Sequence, residues 1–310
     1  MRGFVAPTDH SWYRYLLARP HLEEVNFWRP GGGTFSALSP GEPFFFKLKS
    51  PYNAIGGFGQ FARFARLPLW MAWDVFGEGN GAATTDELRS RLAHLARSVQ
   101  GPFGMDHPLG CISIAFPTFF APDEWVPLPP DWQPNIVSGR TYDLTDGHGR
   151  VLWEQCVERA VASASVDDWT AEATEQLRYG GPQAITPRLG QGSFRLAVLD
   201  AYGQACAVTT ERSLPVLEAS HIRPYSEGGA HEVSNGIPLR RDLHRLFDLG
   251  YVTVRPDRRF AVSPQLRDDY ANGRVYYELE GREIVVPTAP HEHPRTALLE
   301  WHNDVVFRRG

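Results

Sequence analysis

Between residues 25 and 75 the chain runs in short apolar and aromatic bursts, "VNFW", "PFFFKLK" and "LPLWMAW", separated by "RPGGG", "SPGEP" and "AIGGFG". Glycine and proline punctuation at that interval predicts a compact antiparallel sheet or barrel rather than helices. Phe44, Phe45 and Phe46 alternate across one such strand, so at least one of them is expected to face away from the core. In "TTDELRSRLAHLARSV", Thr84 to Val99, the leucines change to helical spacing behind Thr85, with Asp86 and Glu87 in the first turn, which predicts one helix packed on the barrel. "GCISIAFPTFF" reads as a further strand and the proline-rich "APDEWVPLPPDWQP" as an extended surface segment. The barrel is expected to finish near Asp143.

A helix from about Gly149 to Ala164 then leads into "SVDDWTAEATEQLRYGGPQAITPRLGQG", whose charged, glycine-containing character suggests a connector. The second domain is expected to start near Ile185. In it "SFRLAVLDAYG" makes an amphipathic helix closed by Gly203, "LEASHI" a strand, and "RRDLHRLFDLG" a helix stopped by Gly250. The expected organisation is therefore α+β in two domains, 1–148 and 185–310, joined by a helical connector at 149–184. No internal repeat or low-complexity tract is present.

At 310 residues with 42% hydrophobic content the chain is long enough for two real cores. Its formal net charge of −5 excludes no partner class, because nucleic-acid binding depends on local patches; the basic residues are nearly all arginine, Lys47 and Lys49 being the lysines. Cys111, Cys156 and Cys206 are too far apart for a CxxC zinc site and odd in number for a disulfide framework, which fits a reducing cytoplasm. No window approaches the apolar length of a membrane span, and "MRGFVAPTDHSWYRYLL" lacks the apolar core of a signal peptide.

The chemistry concentrates between Glu218 and Gly250, in "EASHIRPYSEGGAHEVSNGIPLRRDLHRLFDLG". A strand ends at His221, a glycine loop returns through Asn235 to a second strand, and a helix carries His244 and Asp248 four apart on one face. Phosphodiester hydrolysis needs a base for water, a cation for developing charge and donors for the phosphate. His221 is the natural base, Asn235 can hold the loop that aims it, and His244 with Asp248 can share a divalent ion. Arg223, Arg241 and Arg245 are placed to contact phosphate. Asp248 could instead cap the helix or pair with Arg245; Glu218 is expected to point away and pair with an arginine, and His231 to be solvated. The histidines of "PHEHPRTALLEWHNDVVF" read as a solvated loop and a terminal amphipathic helix.

In order and spacing, "SHIRPYSEGG", "SNGIPL" and "DLHRLFD" resemble the three blocks of the HNH (ββα-metal) endonucleases, over about Ile185 to Phe307. The resemblance implies a metal-dependent phosphodiester hydrolase using one divalent ion, Mg or Mn, with Ni or Co as alternatives and no structural zinc. The family usually places an aspartate or histidine ligand just before the base, where this chain has Ser220. Ser220 would then be a weak ligand beside His244 and Asp248, or none, and bound DNA would complete the ion's shell.

Roughly residues 10–145, through "VNFWRPGGGTFSAL", "SPGEPFFFKLKSPYNAIGGFGQF", "WMAWDVFGEGNG" and "GCISIAFPTFF", resemble the EVE domain of the PUA-like barrel superfamily. An EVE domain before an HNH domain resembles modification-dependent restriction endonucleases, which implies double-stranded DNA carrying 5-methylcytosine or 5-hydroxymethylcytosine as the partner. Reading such a base requires flipping it between aromatic faces. Trp28, Tyr52, Trp70 and Trp73 are the candidate cage, with Ser36, Ser50 and Asn53 as polar readers and Lys47 and Lys49 on the DNA backbone. Each tryptophan could equally be core. Cutting both strands with one HNH site implies a homodimer or two successive binding events. Two other readings stay open: a non-cutting reader of modified nucleic acid, and a nuclease whose first domain binds RNA or a nucleotide.

Overall fold

The computed structural model describes residues 1–31, 33–95, 103–163 and 190–310. The chain divides into two compact units, Met1–Pro187 and Arg188–Gly310.

In the first unit β1 (Arg2–Thr8), α1 (His10–Leu17), β2 (Glu24–Arg29), β3 (Pro43–Leu48) and β4 (Ala54–Pro68) are followed by α2 (Leu69–Phe76) and α3 (Thr85–Leu95). After these come β5 (Pro108–Phe119), β6 (Val126–Pro127), β7 (Arg140–Asp143) and α4 (Gly147–Ser163). Among the described residues the strands form one seven-stranded sheet, ordered β2-β5-β4-β3-β1-β7, with β6 paired to β4. The expected closed barrel is thus an open sheet: β2 and β7 end the path and do not pair with each other. Nor is the sheet purely antiparallel, because β1 runs parallel to β3 from Phe4↔Phe44 to Thr8↔Leu48.

Both faces of this sheet are covered, which changes the fate of the three phenylalanines. Phe44, Phe45 and Phe46 are all fully buried. Phe45 joins Ile55, Tyr142 and Leu144 in a cluster that includes Leu152, Cys156 and Ala160 of α4. Phe46 stacks on Phe119 at 5.1 Å and Phe44 meets Phe27 at 4.9 Å, within a second core. Alternation was read correctly, but the face turned away from one core enters another. Helix α4, expected to begin the connector, is part of the first unit's core; the rest of that connector, and the expected start at Ile185, lie outside the described residues. The expected surface segment at 121–134 also packs inward, with Val126 in the cluster and Trp125, Leu128 and Trp132 against it.

"LPLWMAW", expected as part of the sheet, instead forms α2, buried through Leu69, Met71, Ala72 and Phe76. A short apolar run has no period that separates strand from helix, and extended Pro68 ends β4 where the helix begins. The cap of α3 is Thr84 rather than Thr85: its Oγ1 accepts from Glu87 N at 3.1 Å, while Glu87 reaches back to Ala83 N at 2.9 Å. The part of this helix expected at 96–99 lies outside the described residues.

The second unit contains α5 (Gln191–Ala201), β8 (Leu217–His221), β9 (Gly236–Arg240), α6 (Arg241–Asp248), β10 (Val252–Val254) and β11 (Phe260–Val262). It ends with α7 (Gln265–Tyr270), α8 (Arg274–Tyr277) and α9 (Thr296–Val305). Strands β8 and β9 form an antiparallel hairpin with Ser220 opposite Ile237 and His221 opposite Gly236. The turns that end α5 and α6 use left-handed glycines, Gly203 (φ +63°) and Gly250 (φ +76°). Hairpin and following helix make a ββα unit. No helix of the described residues is long and apolar enough to cross a membrane, and all three cysteines are free and buried.

Candidate functional site

The loop between β8 and β9 is built around Asn235, whose side chain is 1% exposed. Its Oδ1 accepts from Arg223 N at 3.0 Å, and its Nδ2 donates to Arg223 O at 2.9 Å and Ala230 O at 2.8 Å. One amide thereby satisfies three backbone groups of the loop, beside turn hydrogen bonds such as Gly229 N to Pro224 O at 3.0 Å. The enclosure leaves no room at Gly229, where a Cβ would lie 1.9 Å from Arg223 O and 2.8 Å from Asn235 Nδ2. Asn235 also anchors the strand end, because its own carbonyl accepts from Ile222 N at 2.9 Å.

That frame positions His221. Its ring lies on Phe194 of α5, centroids 3.9 Å apart and planes 14° from parallel. Gly236, opposite His221 in the hairpin, makes this packing possible, since a Cβ there would meet Phe194 Cζ at 2.9 Å. The Nε2 atom of His221 is 2.9 Å from Nδ1 of His231. His231, expected to be solvated, is half-buried and stacked on Tyr225 at 4.8 Å. Burial pushes the His221 pKa down to about 4, with the neighbouring His231 and His244 rings adding to the shift, so the ring is neutral at pH 7.

On the helix, the spacing of His244 and Asp248 does place them together: Nε2 of His244 is 3.5 Å from Oδ2 of Asp248. Glu218 was expected to pair with an arginine and point away. It does pair with Arg241, at 2.7 Å, but its other oxygen lies 2.7 Å from Nδ1 of His244. As expected from parity, Glu218 points away from His221, on the face of β8 that it shares with Ser220; the contact with His244 arises because α6 packs against β8. Burial acts to raise the Glu218 pKa, yet hydrogen bonds from His244 and Arg241 prevail and hold it below the usual carboxylate range. Asp248 moves the other way, raised by burial with Glu218 adding, against His244 and Arg245.

A divalent ion fits this donor set loosely. His244 Nε2 and Asp248 Oδ2 are close enough to share one, and Ser220 Oγ on the same strand is fully buried without a hydrogen-bond partner among the described residues. Among those residues no group of three or more His, Cys, Asp or Glu side chains is arranged to hold a metal. Two protein donors with water and phosphate is therefore the arrangement the residues allow. Of the candidate phosphate contacts, Arg245 is exposed, Arg241 is tied to Glu218, and the Arg223 guanidinium lies 5.4 Å over Trp301 with its Nε buried and unpartnered.

The first unit holds a cavity of about 510 Å³, walled by Phe4, Trp12, Phe27, Trp28, Phe35 and Phe44, with Asp9, Arg29 and Lys49 also on its lining. Trp28 and Lys49 belong to the set singled out from the sequence; Ser36, Ser50, Tyr52, Asn53, Trp70, Trp73 and Lys47 lie outside this lining. Trp28 is anchored through Nε1 to Asn80 O at 3.0 Å. Tyr52 stacks instead on His10 at 4.2 Å beside Trp125, and Asn53 accepts from Lys47 Nζ at 3.0 Å. Burial, with Lys49 adding, lowers the Lys47 pKa. Trp70 and Trp73 are half-buried on α2, and Ser36 and Ser50 are exposed. The walls contributed by Phe4 and Trp12 had no local signal, because each comes from a segment that reads as ordinary core.

Residues 206–255 match the family of HNH endonucleases. The chain thus carries an HNH endonuclease domain that includes His221, Asn235 and His244, which supports a nuclease hydrolase. A search of curated proteins returned no match. Among solved structures, a mutant ZmASCH protein from Zymomonas mobilis aligns at 9% identity over 53% of this chain and 99% of its own, with a TM-score of 0.31. The modification-dependent TagI restriction endonuclease aligns at 13% identity over 91% of this chain and 75% of its own, with a TM-score of 0.28.

Proposed function

We propose that the protein is a cytoplasmic, modification-dependent DNA endonuclease, with the nuclease in the second unit and a reader of modified cytosine in the first. The observation that carries the reading is the hairpin-and-helix arrangement in which Asn235 holds the loop behind His221 while His244 and Asp248 face each other on α6.

In this reading His221 takes a proton from the attacking water as the water oxygen bonds to phosphorus, and Asn235 keeps the imidazole aimed. A divalent ion, held by His244 and Asp248 with Ser220 behind them, would stabilise charge on the phosphate and the leaving oxygen when bound. Arg223, Arg241 and Arg245 would hold flanking phosphates. The aromatic cavity of the first unit is of a size that takes a small ligand, and its rings suit a flipped base, whose stacking contributes about 1–3 kcal/mol. Lys49 at its lining can meet a phosphate.

Cleavage of otherwise identical DNAs carrying cytosine, 5-methylcytosine or 5-hydroxymethylcytosine, with Mg²⁺, Mn²⁺ or EDTA, tests the proposal. Metal-dependent cutting of modified DNA that is lost in His221→Ala is the expected result. Equal cutting of all three would remove the reader but keep the nuclease. A second reading, a non-cutting reader of modified nucleic acid, rests on Ser220 standing where a metal ligand is usual; tight binding without cutting under every condition would favour it.

A further inference from the structure

The contact between His221 and His231 has a chemical consequence for which nitrogen of the candidate base is usable. Two neutral imidazoles share one hydrogen bond only if one donates an N–H and the other accepts on a bare nitrogen. The 2.9 Å contact joins His221 Nε2 to His231 Nδ1, which allows two arrangements. In the first, His231 donates and occupies the lone pair of His221 Nε2. The hydrogen of His221 then sits on Nδ1, and neither of its nitrogens can take a proton from water. In the second, His221 donates from Nε2, and its Nδ1 keeps a bare lone pair. Only the second leaves a working base.

The surroundings make this a built contact. Phe194 packs flat on one face of the His221 ring, and Tyr225 packs on His231, with planes 9° apart. Both rings are thus restrained in plane as well as joined at their edges. The loop's own shape does not depend on the pair, because Asn235 ties Arg223 to Ala230 and Gly229 closes against Arg223 O. A purely architectural role for His231 would duplicate work done a few residues away.

We propose that His231 is a positioning residue for the base: it accepts the Nε2–H of His221 and so holds His221 in the tautomer whose Nδ1 lone pair is free. This rests on the reading of His221 as the base of a phosphodiesterase. When Nδ1 takes the proton of the attacking water, the water oxygen bonds to phosphorus, the bond from phosphorus to the leaving oxygen breaks, and that oxygen gains a proton from solvent. His231 keeps accepting the Nε2–H throughout. Its hydrogen bond becomes charge-assisted once His221 is cationic, which makes it stronger in the reacting state than at rest.

The test uses the full chain labelled with ¹⁵N-histidine, together with His231→Ala and His231→Gln. Gln supplies a carbonyl oxygen that can accept the same hydrogen. Two-bond ¹⁵N–¹H correlation of the metal-free protein is expected to show His221 as the Nε2–H tautomer in wild type and in His231→Gln, and shifted toward Nδ1–H in His231→Ala. Single-turnover cleavage is expected to fall on the order of 10- to 100-fold in His231→Ala at unchanged KM, and to recover most of that loss in His231→Gln. An Nδ1–H tautomer in wild type, or cutting by His231→Ala at the wild-type rate, would overturn the proposal, as would equal losses in the two variants. If the wild type cuts no DNA at all, the nuclease reading fails while the tautomer measurement still decides the role of His231.

Discussion

His244 has a carboxylate at each ring nitrogen: Oε2 of Glu218 stands 2.7 Å from Nδ1, and Oδ2 of Asp248 stands 3.5 Å from Nε2. A depressed Glu218 pKa means that this carboxylate is ionised and accepts the Nδ1 hydrogen. The Nε2 lone pair is then directed to the Asp248 side, where a cation could be shared.

Removing that support is expected to cost metal binding before it costs folding. Glu218→Ala should weaken Mn²⁺ affinity about 10- to 100-fold, as loss of a carboxylate behind a ligating histidine commonly does. Glu218→Gln keeps an acceptor oxygen and should lose less. Calorimetric titration of Mn²⁺ into the full chain decides; unchanged affinity in Glu218→Ala would dismiss the role.

Asn235 carries a different kind of load. Asn235→Ala strands the backbone N–H and C=O of Arg223 and the C=O of Ala230 around a buried site, and is expected to destabilise the loop by about 2–4 kcal/mol. Amide hydrogen exchange over residues 222–236 should rise accordingly. The same variant should cut modified DNA at a small fraction of the wild-type rate, since His221 loses its frame.

Acid sensitivity is expected from His302 on α9. This ring is 2% exposed, stacked on Phe247 at 3.7 Å, with Nδ1 2.8 Å from Thr253 Oγ1 and Nε2 3.2 Å from Phe247 O. Burial pushes its pKa down to about 4 from an ordinary 6.5, so the unfolded chain takes up a proton at a higher pH than the folded one. The stability this provides is whole above pH 6.5 and drains away as pH falls toward 4, by up to about 3 kcal/mol. Exchange of the β10 amides, followed from about pH 7 down to about pH 4, should show that slope in wild type and a flatter one in His302→Gln.

In the first unit, Trp28→Ala should weaken binding of a modified-cytosine duplex by roughly 5- to 150-fold, the equivalent of one stacked base. Trp28→Phe, which keeps a ring on the cavity wall, should retain more. Fluorescence anisotropy with modified and unmodified duplexes checks this; an equal loss on both DNAs would point to a packing defect around Asn80 instead.

Much of the second unit was legible along the chain because its signals are local. His221 ends a strand before a glycine loop, Asn235 precedes the next strand, and His244 and Asp248 are one helical turn apart ahead of left-handed Gly250. Such signals depend on residues within a few positions of each other, and propensity, capping and periodicity act at that range. The contact of Glu218 with His244 and the burial of His231 against His221 were not foreseen, because these partners are chosen by how α6 packs on β8 and how the loop folds back.

The first unit shows the same division more sharply. Short strands and their glycine breaks could be anticipated, yet the open mixed sheet, the helical form of Leu69–Phe76 and the second core that receives Phe44 and Phe46 could not. Alternation along β3 states only that successive side chains point to opposite faces. What covers each face is contributed by segments tens of residues away, such as Leu144 and α4 for Phe45 and Phe119 for Phe46, so burial there is a property of the assembled chain.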